Sequence, residues 1–94
     1  MNKEKYTDSN YIPDEKTSSE IELLNKQKED LSNSNLKKAQ LKNIYLVDAV
    51  LKNSDFSRSN LQNASMFNAN LSGSNLFKAN LENANLKNAN LENC

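Results

Sequence analysis

Ala79-Asn80-Leu81-Glu82-Asn83-Ala84-Asn85-Leu86-Lys87-Asn88-Ala89-Asn90-Leu91-Glu92-Asn93 states one five-residue phrase three times without a break. The same frame, carried back toward the N-terminus, puts Leu31, Leu36, Leu41, Leu46, Leu51, Phe56, Leu61, Met66, Leu71, Leu76, Leu81, Leu86 and Leu91 in one column, and all of them are large and apolar. Two places before each, from Ser34 onward, stands Ser or Ala, with Ile44 the one large member and Cys94 the next in line.

A spacing of five excludes both regular structures. On an α-helix, five residues advance the chain by about 500°, which leaves successive leucines about 140° apart and scatters them around the whole surface. In a straight strand an odd spacing sends successive leucines to opposite faces. The pattern is buried only if the chain is locally extended and bends once per block, so that the leucine and the small residue two before it always face inward. Polar residues such as Asn35, Lys37, Asn60, Gln62, Asn80 and Glu82 then face out. Asn dominates the last place of the block, at Asn33, Asn43, Asn53, Asn63, Asn68, Asn83, Asn88 and Asn93. Its side chain bonds nearby backbone and tolerates left-handed conformations, as a bend requires.

The blocks Ala69-Asn70-Leu71-Ser72-Gly73, Ala79-Asn80-Leu81-Glu82-Asn83, Ala84-Asn85-Leu86-Lys87-Asn88 and Ala89-Asn90-Leu91-Glu92-Asn93 resemble the A-(D/N)-L-x-x signature of the pentapeptide-repeat family. The resemblance implies an all-β fold, a right-handed quadrilateral β-helix over residues 31–94 with four blocks to a coil and backbone hydrogen bonds between coils. Ser34, Ser54, Ser74 and Cys94 recur every twenty residues and would then stack on one side, sharing hydroxyl hydrogen bonds. Gln40 and Tyr45 in the Asp/Asn place, and Ile44 in the small place, predict that the early coils are less regular than the late ones.

Ahead of the repeats, Thr17 and Glu20 resemble a capping box, and Ile21, Leu24 and Leu31 share a helical face. This predicts a capping helix over residues 18–30, laid on the first coil, because an open solenoid end exposes leucines and unpaired strand groups. Residues 1–17 are polar and read as a disordered tail.

Composition excludes more than it assigns. Lys plus Arg and Asp plus Glu stand at twelve each, so the chain has neither a basic footprint for nucleic acid nor acidic bulk that would mimic it. The segment 29–94 holds seven basic and six acidic residues. With no His, no Gly-rich phosphate loop and no Cys pair, nothing suggests catalysis, a metal or a cofactor, and the chain reads as non-enzymatic. Asp48 and Asp55, close in sequence, read as solubilising carboxylates. Cys94 falls in the inward column and reads as a compact hydrophobe. The absence of an apolar run makes a cytoplasmic address, with no membrane association, the default expectation.

What remains is a protein-binding or structural module. The alternative comes from the resemblance, since some pentapeptide-repeat proteins mimic DNA and protect or inhibit type II topoisomerases such as DNA gyrase. Tyr45, Val47, Val50 and Phe67 form a candidate protein-contact patch, because 47 and 67 are twenty residues apart and stack on one outer face. A fold-back of Tyr6, Tyr11 and Ile12 over that patch is the competing expectation. Leu76, Leu81, Leu86, Leu91 and Cys94 form a candidate end-to-end association site, where a second copy pairs or the chain continues as a longer repeat.

Overall fold

The computed structural model describes residues 3–94. From Asp30 onward the chain turns once per block, and the residue before each leucine makes a single parallel bridge to the residue twenty places on, from Asp30 with Val50 through Asn60 with Asn80 to Asn70 with Asn90. Four blocks therefore make one coil of a β-helix. No strand is longer than its bridge, because every block spends its remaining residues on the corner.

Most corners close with a hydrogen bond from the small residue's N–H to the leucine C=O three places back, as from Ala39 to Leu36 at 3.1 Å and from Ala64 to Leu61 at 3.0 Å, whereas the N–H groups of Ser34 and Ser54 donate to the hydroxyls of Ser54 and Ser74. Only the third residue of the turn takes positive φ, between 56° and 73° in the repeats. That is the signature of a type II turn, and it explains why Asn fills this place. A second role of Asn was not legible as such in the sequence. Asn or Asp before the leucine accepts the N–H two residues on, as Asn70 does from Ser72 at 3.1 Å and Asn80 from Glu82 at 3.0 Å. The A-(D/N)-L-x-x phrase thus caps its own corner. Where Val50 has no such oxygen, the Ser32 hydroxyl one coil away accepts the Lys52 N–H at 3.1 Å.

Between coils the block makes three backbone bonds. Leu61 N–H donates to Asn80 C=O at 2.8 Å, Asn63 N–H to Glu82 C=O at 2.9 Å, and Asn85 N–H to Ala64 C=O at 2.9 Å. The leucine column and the small column fill the interior in four vertical rows: Leu31, Leu51, Leu71 and Leu91 on wall one; Leu36, Phe56 and Leu76 on wall two; Leu41, Leu61 and Leu81 on wall three; Leu46, Met66 and Leu86 on wall four. The early coil is as regular as the later ones, contrary to expectation. Ile44 is buried in one cluster with Ile21 and Leu24 of the cap, and its N–H closes its corner on Leu41 at 3.1 Å as the alanines do.

The N-terminal segment also differs from expectation. The part of the supposed disordered tail that falls on Met1 and Asn2 lies outside the described residues, but residues 3–17 are a folded plug. Lys3–Thr7 forms a 3-10 turn that buries Tyr6 completely against the core. The physical reason is the open end itself. The Tyr6 ring fills space that a preceding coil would fill, and the Tyr6 C=O accepts the Asn35 N–H at 2.6 Å in place of that coil's carbonyl.

Helix α1 (Thr17–Lys26) stops four residues short of the expected end at residue 30. Lys28 N–H bonds Asn25 C=O at 2.9 Å and Glu29 N–H bonds Leu24 C=O at 3.1 Å, with Lys28 at φ 61°, which together form a Schellman ending. Lys28 is five residues before Asn33, so the left-handed residue that ends the helix is already in register with the corners of the repeats. The expected capping box is absent. Asp14 accepts the Lys16 N–H and the Thr17 hydroxyl accepts the Asp14 N–H, each at 2.9 Å. The Glu20 carboxylate turns instead to the Tyr6 hydroxyl and to Lys5, whose Nζ lies 2.8 Å away.

Candidate functional site

The expected contact patch is built on wall four and its corner. Tyr45 and Val47 flank the inward Leu46, Val50 stands one corner further on, and Phe67 lies one coil away from Val47, its C=O accepting the Asp48 N–H at 2.9 Å. Tyr45 is 49% exposed, and the other three are partly buried. The sequence could not show that α1 leans on this wall. Tyr45 N–H donates to Glu22 Oε2 at 3.0 Å and Asn25 Nδ2 donates to Val47 C=O at 3.1 Å. An open groove of about 400 Å³ runs between Asn25, Lys26, Lys28 and Glu29 on one side and Tyr45, Val47, Asp48 and Val50 on the other. Phe67 extends the patch below that groove.

Tyr6, Tyr11 and Ile12 do not cover this patch. Tyr6 is in the core, and the irregular stretch after it crosses wall two, where Asn35 Nδ2 donates to Ser9 C=O at 3.2 Å and to Tyr11 C=O at 3.1 Å. Tyr11 packs edge-on against Tyr6 with centroids 5.0 Å apart and shares a 2.7 Å hydrogen bond with the Thr17 hydroxyl. Ile12 is left 81% exposed.

The expected end-to-end site is the edge of the last coil. Leu76, Leu81 and Leu86 are partly buried, Leu91 is 38% exposed and Cys94 is exposed. Cys94 continues the stacked serine row, its thiol donating to Leu71 C=O at 3.1 Å. The serines above it bond differently from expectation. They do not link hydroxyl to hydroxyl: Ser54 Oγ accepts the Ser34 N–H and Ser74 Oγ donates to Leu51 C=O.

The remaining titratable groups offer no paired chemistry. Asp48 and Asp55 belong to different walls, and Asp55 is engaged by the Ser57 N–H and hydroxyl at 2.9 and 2.6 Å. The perturbed groups are structural: they lie in the cap, except Asp30 at the start of the first coil, held low by its hydrogen bonds with Ser32. Burial, reinforced by Glu20, pushes the Tyr6 phenol well above its ordinary range, and hydrogen bonds from Lys5 and Tyr6 hold Glu20 below the usual carboxylate range. Among the described residues no group of three or more His, Cys, Asp or Glu is placed to hold a metal, and no helix is long and apolar enough to cross a membrane.

Sequence reading passed over a second surface on wall two. Lys38, Arg58 and Lys78 occupy the left-handed corner position in three successive coils, and Phe77, 57% exposed, lies under Arg58 and Lys78. The signal was present as a spacing of twenty between the three cations.

Residues 30–66 and 54–93 match the family model of pentapeptide repeats, in eight copies. The chain belongs to the pentapeptide-repeat family. Among solved structures it is similar to HetL, a pentapeptide-repeat protein involved in heterocyst differentiation regulation from the cyanobacterium Nostoc sp. strain PCC 7120, at 33% identity and a TM-score of 0.61, over 63% of this chain and 28% of that one. It is also similar to the pentapeptide-repeat protein Rfr23 from the cyanobacterium Cyanothece 51142, at 35% identity and a TM-score of 0.35, over 67% of this chain and 53% of that one. The pentapeptide-repeat chain described here therefore spans about a quarter of HetL and about half of Rfr23. No curated protein matches it.

Proposed function

We propose that this pentapeptide-repeat chain is a non-enzymatic scaffold, wound as the right-handed four-sided β-helix of its family, that works by protein contact, the edge of its last coil being covered by a second copy or by a further coil of the same repeat. The observation that carries this reading is the contrast between the two ends. At the N-terminal end the cap supplies a partner for each kind of exposed group: Tyr6 C=O for the Asn35 N–H, the Glu22 carboxylate for the Tyr45 N–H, and the Asn25 amide for Val47 C=O. At the other end the N–H groups of Leu76, Leu81 and Leu86 and the C=O groups of Ala79, Ala84 and Ala89 meet no partner among the described residues, beside a row of leucines that is only partly covered. Such an edge is a template for further backbone pairing, which either a continuing repeat or a second copy with the same donors, acceptors and apolar rows supplies.

Light scattering over a range of concentrations tests this. A mass of two chains that falls to one with Leu81→Glu and Leu86→Glu is expected, and a strict monomer at high concentration overturns the pairing. The DNA-mimic reading draws no support from the surface, which is electrically neutral overall and basic on wall two. A gyrase supercoiling assay with the protein added should show no change.

A further inference from the structure

Every corner of the repeats asks for a residue that tolerates positive φ, and nearly everywhere the chain supplies Asn or Gly. Wall two is the exception in all three coils. Lys38, Arg58 and Lys78 stand there one above another, at a coil spacing of about 4.8 Å. Two local rules are broken together: the side chains are poor choices for a left-handed corner, and like charges are stacked at close range. On no other wall does a whole row break them: the equivalent rows read Asn33, Asn53, Gly73, Asn93; Asn43, Asn63, Asn83; and, after Lys28 at the helix end, Asp48, Asn68, Asn88. Departures of this kind, with no structural gain, are expected at functional surfaces.

None of the three cations pairs with a carboxylate among the described residues. The acid on the same wall, Asp55, is occupied by Ser57, and Glu82 on the next wall is bonded to Gln62. Lys37 adds a fourth cation beside Lys38. The strip is bounded by apolar groups that the fold does not need. At one end Ile12, with Tyr11 and Pro13, lines an open groove shared with Lys37 and Lys38. At the other end the Arg58 guanidinium lies 5.6 Å and the Lys78 ammonium 5.4 Å from the ring centre of Phe77, which gathers both charges on an exposed aromatic.

From this arrangement we propose that wall two is a docking strip for an extended acidic segment of a partner protein, with carboxylates on Lys38, Arg58 and Lys78 and an apolar side chain at each end, on Ile12 and Phe77. Charge complementarity selects an anionic partner, and the apolar ends favour a peptide over a uniform polyanion such as nucleic acid. Two coil spacings plus the flanking residues correspond to roughly four to six residues of extended chain. The proposal deepens the scaffold reading on a side wall apart from the Val47 patch. Its strip reaches the last-coil edge only at Phe77 and Lys78, and the peptide assay and the mass measurement read the two separately.

The test is fluorescence anisotropy with a labelled hexapeptide of four glutamates between two leucines, beside a hexamer of deoxythymidylate and vesicles containing an anionic lipid. Saturable binding of the peptide that weakens as salt is raised is expected, tighter than binding of the oligonucleotide or the vesicles. Lys38→Asn, Arg58→Asn and Lys78→Asn combined should weaken it at least tenfold. Because Asn is the residue these corners favour, that variant should keep its circular dichroism spectrum, its thermal midpoint and its oligomeric state. Ile12→Ser with Phe77→Ser should weaken binding severalfold. Unchanged affinity in the triple variant, no saturable binding by the wild type, or equal or tighter binding of the oligonucleotide or vesicles overturns the proposal.

Discussion

The backbone N–H of Ser34 donates to the hydroxyl of Ser54 at 3.1 Å, one coil away, so the side chain of one coil completes the corner of the coil before it. Ser54 N–H does the same with Ser74 at 3.0 Å. One block further along, Ser59 is also buried, but its hydroxyl meets no partner. Its neighbours in the row, Ala39 and Ala79, have nothing to offer. The two serines should therefore respond oppositely to the same change. Ser54→Ala strands the buried Ser34 N–H and should cost about 1–3 kcal/mol, whereas Ser59→Ala removes an unsatisfied group and should be neutral or stabilising by about 1 kcal/mol. Urea denaturation of the two variants checks this, and equal losses would contradict the ladder.

Leu61 is fully buried in the middle coil, and its neighbour Gln62 faces outward to Glu82. Leu61→Asn leaves a cavity and a buried amide, a loss of roughly 3 kcal/mol or more. Gln62→Ala should change stability by only about 0.5 kcal/mol. Chemical denaturation of both variants measures the inward and outward sides of one block.

Tyr6 makes the N-terminal plug a testable unit. Tyr6→Ala empties an aromatic site in the core and should cost roughly 3–5 kcal/mol, with the early coil losing hydrogen-exchange protection before the middle one. A fully protected early coil in Tyr6→Ala would show that the plug is dispensable.

The cap also predicts a pH profile. The Tyr6 phenol is raised in the folded state, chiefly by burial, so the unfolded chain ionises first and stability falls as pH rises above about 10. Lys5, raised chiefly by its hydrogen bond to Glu20, adds to the loss on the same side. Glu20 is lowered, chiefly by its hydrogen bond to Lys5, so its contribution is present above about pH 4 and is lost as pH falls through its folded value. Urea midpoints against pH should show both limbs, with the alkaline limb reduced in Tyr6→Phe. An unchanged alkaline limb in that variant would remove Tyr6 from the account.

On wall four, Val47→Ser with Phe67→Ser should leave the circular dichroism spectrum and thermal midpoint nearly intact, since both side chains stand outside the leucine rows. If the patch is a contact surface, the same pair weakens capture of a partner or dissociates an oligomer. Unchanged binding and unchanged mass would reduce it to surface decoration.

The sequence by itself determined the repeat and its inside and outside. A spacing of five fits neither a helix nor a strand, so Leu31 to Leu91 had to face inward from a chain that bends once per block. Asn33, Asn43 and their equivalents marked the bends because left-handed backbone restricts which residues serve there. Such facts are local and periodic, and a single chain displays them. Tertiary structure alone decided what the non-repeating residues do. Tyr6 reads as one aromatic in a polar tail until the open coil end gives it a cavity and an N–H to satisfy. Glu20 reads as a capping residue until Tyr6 and Lys5 arrive beside it. Lys38, Arg58 and Lys78 look like ordinary surface charges until the four-block coil stacks them, because which residues share a wall depends on how many blocks close a coil. The five-residue pattern does not contain that number; the family resemblance implies it, the row Ser34, Ser54, Ser74 and Cys94 hints at it, and the bridges between residues twenty apart make it explicit.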